Sequence, residues 1–198
     1  VIKEYFSNYF LHMSDVTFDL STNQVTVHKE YSEPWKVTLV DTGEGTMTAG
    51  RLQRVASHLP EGEPFCLTYG DGLADIDLTA ELAFHRSHGR PATVSAICPP
   101  GRYGALEMVE DEVTGFIEKP PGEGGFVNGG FFVLERECLE LIVGDDMSWE
   151  AEPLQHLAES GQLRAFRHEG FWQSMDTLRD RNHLEQLWAS GTAPWKVW

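Results

Sequence analysis

Two patterns of apolar positions run through the chain, one with the period of a helix and one typical of β-strands. Apolar residues at helical spacing predict helices over residues 2–13, 48–58, 78–88, 138–143, 153–159 and 179–189. Short apolar or alternating runs predict strands over residues 16–20, 25–28, 36–40, 65–68, 92–97, 104–109, 115–120, 131–134, 163–168 and, with a turn, 171–177. Because strands alternate with helices over most of the length, we expect an α/β fold with a mostly parallel sheet and helices on both faces.

Local signals at the ends of these segments refine the prediction. The strands at 16–20 and 25–28 flank a polar turn and predict a hairpin. Thr48 and Asp77 stand where helices should begin, so both are predicted N-caps. No internal repeat, low-complexity tract or break in composition divides the sequence, and we therefore predict one domain over residues 1–198.

Composition and charge exclude several classes of protein. The chain is 41% hydrophobic, as expected of a globular protein, and its 31 Asp and Glu outnumber its 15 Lys and Arg, for a formal charge of −16. This balance argues against binding to nucleic acid or to an anionic membrane surface. No run is long enough to span a bilayer, and no signal peptide is present. Cys66, Cys98 and Cys138 form no metal-like cluster, so we expect buried, reduced thiols in a cytoplasmic protein.

Asp71 follows directly on a predicted buried strand, and the glycines Gly70 and Gly72 flank it. In open α/β sheets, ligands bind at the carboxyl ends of strands. Two glycines allow a sharp turn and leave room beside the carboxylate, which suits a hard divalent cation such as Mg²⁺. An aspartate that caps a strand-to-helix turn explains the same residues equally well.

Asp176 is a second carboxylate that follows a predicted strand and precedes a helix. Two carboxylates far apart in sequence can converge on one metal at the edge of a sheet, an arrangement suited to a nucleoside triphosphate. Judged from Met175 and Thr177 alone, the favoured explanation of Asp176 is an N-cap of the last helix.

Three further segments are candidates for binding a sugar phosphate. Glu118 and Lys119 end a predicted strand, where they can hold a sugar hydroxyl and a phosphate, although a surface ion pair is the common alternative. Asn128 and Gly129 allow a ligand to lie against the backbone, or else form an Asn-Gly turn. The loop at 101–104 follows two prolines and is either a sugar-contacting loop or a turn.

Small residues surround the predicted start of the helix at 48–58, and they indicate a nucleotide site. They expose backbone N–H groups that can meet a base edge or a phosphate, and the set comprises Thr42, Gly43, Thr48 and Gly50. Arg51 is one of few cations near this segment. The alternative is an ordinary capped helix with a solvated arginine.

The order of five short segments carries more information than any one of them. They are Thr-Tyr-Gly-Asp-Gly at 68–72, Arg-Tyr-Gly-Ala-Leu at 102–106, Glu-Lys-Pro at 118–120, Asn-Gly-Gly-Phe-Phe at 128–132 and Phe-Trp-Gln-Ser-Met-Asp-Thr at 171–177. In this order they resemble the sugar-phosphate nucleotidylyltransferases, and within that family the members that use CTP and glucose 1-phosphate. The resemblance covers essentially the whole chain and implies a Rossmann-like, three-layer nucleotidyltransferase fold of the GT-A type.

The resemblance also implies a reaction and a site. The reaction is transfer of a cytidylyl group from CTP to α-D-glucose 1-phosphate, giving CDP-glucose and pyrophosphate, in the synthesis of dideoxy sugars for surface polysaccharide such as O-antigen. It implies Mg²⁺ as cofactor, a homo-oligomer, metal ligands at Asp71 and Asp176, and catalytic roles for Asp71 and Lys119. The substrate-binding residues that it implies are Thr42, Gly43, Thr48, Gly50, Arg51, Gly70, Gly104, Glu118, Lys119, Asn128 and Gly129.

Members of this family begin with a first strand, a Gly-rich loop and an N-terminal Lys-Pro segment distinct from the one at 119–120, and none of these three features occurs in these 198 residues. We therefore expect the chain to be incomplete at its N-terminus and inactive by itself, because such a loop supplies backbone N–H groups to the triphosphate. One alternative is a non-catalytic nucleotide-sugar-binding subunit. Another is a metal-dependent glycosyltransferase that uses Asp75 and Asp77, although Asp77 is better explained as a helix cap.

Overall fold

The structure is a computed structural model that describes residues 1–31, 33–99, 105–109, 112–117 and 125–197. Three predicted site residues, Gly104, Glu118 and Lys119, lie outside the described residues, as does the loop at 101–104. Contacts divide the chain into two compact units, Val1–Asp41 and Thr42–Trp198.

The first unit consists of two short helices and a hairpin. Its elements are helices α1 and α2 and strands β1 and β2, over Ile2–Ser7, Tyr9–His12, Ser14–Asp19 and Gln24–Glu30. The predicted hairpin is confirmed, since β1 and β2 pair antiparallel. The helix predicted over 2–13 is interrupted at Asn8. The strand predicted over 36–40 is wrong, because an alternating pattern forms a strand only where another strand pairs with it, and Val37 and Leu39 remain exposed.

The second unit alternates helices and strands. Its α-helices α3 to α6 cover Thr48–Arg54, Leu78–His88, Glu152–Glu159 and Leu178–Ala189, and its 3₁₀-helices cover Ala56–His58 and Arg136–Leu141. Its strands β3 to β10 cover Phe65–Thr68, Gly72–Ala74, Ala92–Ile97, Ala105–Val109, Glu112–Ile117, Val127–Leu134, Leu163–His168 and Trp172–Ser174. The bounds of β3, α4, β5 and β9 agree with the prediction. Asp77 caps α4 as predicted, since its side chain accepts from the Ala80 N–H at 2.9 Å.

The central sheet is mixed, and the prediction of a mostly parallel sheet is wrong. Its order is β3-β8-β5-β9, in which β8 runs antiparallel to both neighbours and only β5 and β9 pair in parallel. The reason lies in the segment between β5 and β8, where strands β6 and β7 follow one another as an antiparallel pair. Parallel neighbours require a long crossover such as a helix, whereas successive strands reverse direction.

Helices cover both faces of this sheet, as the alternation of side chains along its strands shows. On one face Ala92, Phe132 and Leu134 belong to a core cluster that also contains Leu52 of α3 and Leu157 of α5. On the other face the buried hydroxyls of Thr93 and Ser95 are hydrogen-bonded to His85 and Glu81 of α4. The contact between this face and α4 therefore includes buried polar groups, which the apolar pattern of α4 does not indicate.

The thiols differ in their surroundings. Cys138 is buried and Cys98 is intermediate, but Cys66 is exposed, so the expectation of burial is wrong for Cys66. It lies on β3, which pairs with β8 alone among the described strands and so forms an edge of the sheet. Among the helices that the structure describes, none is sufficiently long and apolar to cross a bilayer.

Candidate active site

A second, two-stranded sheet brings together the two predicted metal ligands. Strand β4 pairs antiparallel with β10, and Gly72 lies opposite Ser174 at the end of the ladder. The next backbone hydrogen bond runs from the Met175 N–H to the Asp71 carbonyl at 2.8 Å. Asp71 and Asp176 therefore emerge at the same end of this sheet.

These carboxylates line one cavity of about 170 Å³. The other residues around it belong to four strands or their ends: Tyr69, Gly72, Asn128, Gly129, Gly130, Trp172 and Ser174. Four residues predicted separately, Asp71, Asp176, Asn128 and Gly129, thus meet in one place. Gly70 precedes Asp71 in the chain but is not among the lining residues.

Capping does not explain either aspartate. The N-cap of α6 is Thr177, which forms a capping box with Asp180, so the interpretation of Asp176 as the cap is wrong. Asp71 is followed by strand β4 and not by a helix. Ser174 donates a hydrogen bond to Oδ2 of Asp176 at 2.8 Å and so helps to orient this carboxylate in the cavity.

The Asn-Gly-Gly segment forms the start of β8 and not a turn. The Asn128 side chain accepts from the Gly130 N–H at 2.8 Å. Gly130 has φ +77°, and a Cβ there would lie 2.8 Å from the ring of Tyr69. A Cβ on Gly129 would overlap the side chain of Ile97. Both glycines are therefore required by close packing of the cavity wall.

The residues predicted for the nucleotide form a second cluster around the start of α3. Arg51 donates to the Thr42 hydroxyl at 2.7 Å and to the Glu44 carbonyl at 3.3 Å. Gly43 has φ +81°, and Gly50 has no room for a side chain because a Cβ would lie 2.7 Å from Cα of Asp145. None of these residues lines the cavity.

Thr48 is the first residue of α3, and the N-cap is Met47, so the prediction that Thr48 is the cap is wrong. Its hydroxyl is engaged elsewhere. It accepts from the Trp149 N–H at 2.8 Å and donates to Glu150 at 2.9 Å. A contact between positions so far apart in sequence takes the place of the local capping bond that the sequence suggests.

Three residues of this region were missed by sequence reasoning. Tyr69 lines the cavity and donates its phenol hydrogen bond to Glu150. Trp172 also lines the cavity, and its indole N–H donates to the Gly129 carbonyl at 2.8 Å, which joins β10 to β8. Tyr69 and Trp172 stand inside the recognised segments and were open to prediction, whereas nothing in the sequence around Glu150 distinguishes it from other exposed acidic residues.

A model of a known protein family matches residues 12–176, and its description is nucleotidyl transferase. The chain belongs to the nucleotidyl transferase family. It is 57% identical over all 198 residues to glucose-1-phosphate cytidylyltransferase of Salmonella typhi and spans 77% of that protein. It is 28% identical to the catalytic subunit beta of mannose-1-phosphate guanylyltransferase of Dictyostelium discoideum, with 86% of this chain and 53% of that protein covered.

Among solved structures, HddC from Yersinia pseudotuberculosis has the same fold. The TM-score is 0.52 at 22% identity, and the match covers 71% of this chain and 61% of that chain. At that identity the likeness concerns the fold alone. The central sheet of this nucleotidyl transferase is mixed, within the α/β architecture that the sequence pattern predicts.

The chemistry of the cavity fits Mg²⁺. This ion takes one or two carboxylates and completes its coordination with substrate phosphates and water. Asp71 and Asp176 supply carboxylates at the cavity of this nucleotidyl transferase, and among the described residues no group of three or more His, Cys, Asp or Glu side chains is placed to hold a metal. Zn²⁺ sites need more protein ligands, usually nitrogen or sulfur, so the donors present favour the harder ion.

Asp75 and Asp77, the pair considered for a glycosyltransferase, have other partners. Oδ1 of Asp75 lies 3.0 Å from Nε2 of His168, and Asp77 caps α4. Neither residue lines the cavity. Their positions therefore give no support to a metal site at this pair.

Proposed function

We propose that this chain belongs to an enzyme that transfers a cytidylyl group from CTP to α-D-glucose 1-phosphate, forming CDP-glucose and releasing pyrophosphate. The identity of 57% over all 198 residues to an enzyme named for this reaction supports the proposal. A relative at 28% identity carries the name of a different base and a different sugar, so the distinction between substrates rests on the higher identity.

One structural observation carries the assignment of the site. The β4–β10 pair places Asp71 and Asp176 on one cavity, which Asn128 and Gly129 also line. We assign Asp71 and Asp176 as the Mg²⁺ ligands. Asn128 and the Gly129 backbone are assigned to the sugar phosphate, because an amide side chain can both donate to and accept from sugar hydroxyls.

In this reaction the protein acts mainly by aligning the two substrates and not by forming covalent bonds to them. A phosphate oxygen of glucose 1-phosphate attacks the α-phosphorus of CTP, the new O–P bond forms, and the bond to pyrophosphate breaks. When bound, Mg²⁺ neutralises negative charge on the phosphates. The chain's own residues hold the two substrates in line and exclude alternative geometries, which is the main source of rate in phosphoryl and nucleotidyl transfer.

The remaining residues divide between the two substrates. A hydrogen bond from Arg51 to Thr42 and another to the Glu44 carbonyl hold part of the cluster at 42–51 together. We assign this cluster to CTP, including Gly43, Thr48 and Gly50. Gly70 remains a predicted substrate-binding residue, although a Cβ there would have no heavy atom within 4 Å and its backbone does not require glycine. Gly104, Glu118 and Lys119 remain predicted sugar-phosphate residues, since they lie outside the described residues.

The test is a substrate matrix. Pyrophosphate release by the full-length protein is measured with CTP, UTP, dTTP, GTP or ATP, each with glucose 1-phosphate or mannose 1-phosphate and Mg²⁺. We expect the largest kcat/KM for CTP with glucose 1-phosphate, and the product is identified as CDP-glucose by mass spectrometry. A preference of more than about tenfold for another pair would contradict the proposal, since tenfold corresponds to about 1.4 kcal/mol of discrimination.

The same preparation separates the alternatives. Binding of CDP-glucose without turnover of any pair would indicate a non-catalytic subunit. Transfer of glucose from CDP-glucose to an acceptor would indicate a glycosyltransferase. We also propose a homo-oligomer, supported by exposed aromatic side chains such as Trp35 and Trp188, and light scattering of the purified protein measures it directly.

A further inference from the structure

The carboxylate of Glu150 joins three segments of the second unit. Oε1 accepts the phenol hydrogen bond of Tyr69, which follows strand β3. Oε2 accepts from the hydroxyl of Thr48 at 2.9 Å and from that of Ser148 at 3.0 Å. Thr48 accepts in turn from the Trp149 N–H at 2.8 Å, so the start of α3 is held from two sides. One side chain therefore links the cavity wall with the predicted nucleotide cluster.

Tyr69 is the partner of Glu150 at the cavity. Its ring lies against Gly130, where a Cβ would come within 2.8 Å, and its backbone N–H donates to the Gly130 carbonyl at 3.3 Å. The ring also meets Phe132 edge-on, with centroids 6.1 Å apart, and Phe132 meets the buried Trp149 in the same manner at 6.2 Å. Packing fixes the ring, and the hydrogen bond to Glu150 fixes the phenol end.

Glu150 is in the ionisation state that these hydrogen bonds need. Burial alone would raise the pKa of Glu150, but hydrogen bonds from Tyr69, its own backbone, Thr48 and Ser148 outweigh burial and lower that pKa. Glu150 is therefore an ionised acceptor at neutral pH.

A carboxylate near the proposed site repels anionic substrates, so its presence there calls for another role. The chain has a formal charge of −16, and both proposed substrates are anions. Asp71 and Asp176 face the cavity that is assigned to the metal, whereas Glu150 does not line that cavity. The geometry of its three hydrogen-bond donors, the hydroxyls of Tyr69, Thr48 and Ser148, indicates this role.

We propose that Glu150 is a positioning residue that fixes the Tyr69 ring and the Thr48 end of α3 relative to each other. It thereby sets the separation between the sugar-phosphate side and the nucleotide side of the site. The inference rests on the proposed function for the identity of the two substrates. Displacement of a reactant by about 1 Å is enough to lower a rate about 100-fold, so one hydrogen-bonded carboxylate at the junction has a large effect.

A purely structural role of Glu150 predicts a different experimental result. Glu150 and Thr48 are exposed, so water can take the place of the removed carboxylate, and the loss of stability is small. A positioning role instead lowers kcat/KM for both substrates. The two roles are therefore separated by comparing thermal unfolding with kinetics in the same variants.

The experiment uses full-length protein with Glu150→Ala, Glu150→Gln, Tyr69→Phe and the double variant Tyr69→Phe/Glu150→Ala. Glu152→Ala is the matched control, because Glu152 is an exposed carboxylate at the first position of α5. We expect Glu150→Ala to lower kcat/KM by about 10- to 100-fold for CTP and for glucose 1-phosphate alike. Glu150→Gln keeps an acceptor oxygen and should retain more activity. The double variant should be no worse than Glu150→Ala, because both changes remove the same bond.

Three kinetic results would overturn the proposal. Unchanged kinetics would show that the hydrogen bonds have no role in turnover. A loss confined to one substrate would show that Glu150 does not couple the two sides. Losses that multiply in the double variant would show that Glu150 and Tyr69 act independently, with Glu150 touching substrate itself.

A spectroscopic measurement keeps the test independent of the proposed reaction. The tyrosines, of which these 198 residues contain five, are replaced by 3-fluorotyrosine, and the ¹⁹F signal of Tyr69 is assigned by its loss in Tyr69→Phe. We expect Glu150→Ala to move this signal and Glu152→Ala to leave it in place. If the protein turns over another substrate pair, the proposed reaction is wrong. The ¹⁹F signal of Tyr69 and the kinetics with that other pair then still test the positioning role of Glu150. A Tyr69 signal that does not respond to Glu150→Ala would overturn the positioning role.

Discussion

Met175 donates its backbone N–H to the carbonyl of Asp71 at 2.8 Å. This bond continues the ladder of β4 and β10 by one step beyond the pair of Gly72 and Ser174. The position of Asp71 relative to Asp176 is consequently set by backbone hydrogen bonds and not by the carboxylates themselves. Variants at either carboxylate should therefore change the chemistry of the site and leave the fold intact.

The first prediction concerns Asp71. Asp71→Asn preserves the shape of the side chain but removes its charge, so we expect kcat to fall by at least about 100-fold, as for loss of one electrostatic stabiliser of a transition state. The thermal unfolding temperature should stay within a few degrees of the wild-type value. Binding of Mn²⁺ in the presence of CTP, followed by electron paramagnetic resonance, should weaken in parallel.

Asp146→Asn is the control for this experiment, since Asp146 is an exposed carboxylate that does not line the cavity. It should leave both turnover and Mn²⁺ binding unchanged. Near-normal turnover by Asp71→Asn would remove Asp71 from the metal site.

The second prediction concerns Lys119, which lies outside the described residues and is placed by the sequence resemblance. Lys119→Ala removes an ammonium group predicted to pair with the sugar phosphate. Loss of a hydrogen bond to a charged group costs about 1.5–3 kcal/mol, so the KM for glucose 1-phosphate should rise about 10- to 100-fold, and more than that for CTP. Lys119→Arg keeps the charge and should have the smaller effect. A change in the KM for CTP alone would assign Lys119 to the other substrate.

The third prediction uses a pair of glycines. Gly130 and Gly125 have nearly the same backbone conformation, with φ of +77° and +73°. A Cβ at Gly130 would meet the Tyr69 ring at 2.8 Å, whereas a Cβ at Gly125 would enter open space. Alanine at either position carries the strain of a left-handed conformation, about 1–3 kcal/mol, but only Gly130→Ala also displaces the cavity wall.

We therefore expect Gly130→Ala to lower kcat/KM at least about tenfold more than Gly125→Ala, as a displaced wall misplaces the substrate. Urea unfolding of both variants measures the strain that they share. Equal kinetic losses in the two variants would show that contact with Tyr69 does not matter for turnover.

Elements with complete local signals were predictable from sequence. Helix α4 begins at a side-chain cap from Asp77 and ends at Gly89 with φ +61°, and its bounds were predicted correctly. The direction of β8 was not predictable in this way, because it depends on which strands it joins in the sheet. The same limit explains the false strand at 36–40, whose alternation of apolar residues says nothing about a pairing partner.

The candidate site likewise contains features that local sequence signals predict and features that they do not. Convergence of Asp71 and Asp176 was predicted, although the strands that produce it have only three residues each and carry too little pattern to reveal their pairing. The capping box of Thr177 and Asp180 was readable and would have removed the wrong explanation of Asp176. The link from Tyr69 to Glu150 joins positions distant in sequence, and no local signal contains it.

The last prediction concerns Glu81, which is 1% exposed beneath the polar face of the sheet. Ser95 donates to its Oε1 at 2.6 Å, while its Oε2 has no hydrogen-bond partner among the described residues. Burial raises the pKa of Glu81, against opposing effects of Ser95 and His168. The folded state therefore holds the proton to higher pH than the unfolded state does.

It follows that Glu81 supports folding most at pH values below the carboxyl's ordinary pKa, and that this contribution is lost as the pH rises through the raised pKa of the folded state. Glu81→Gln cannot ionise, so the unfolding free energy of wild type minus that of Glu81→Gln should decline from pH 4.5 to pH 7.5, a range chosen to run from about the ordinary carboxyl pKa to neutrality. Urea unfolding at a series of pH values measures this difference, with Glu152→Gln as the exposed control that should give a flat line. A constant difference would mean that folding does not shift the pKa of Glu81, and a rising difference would mean that the buried carboxylate is stabilised as the anion.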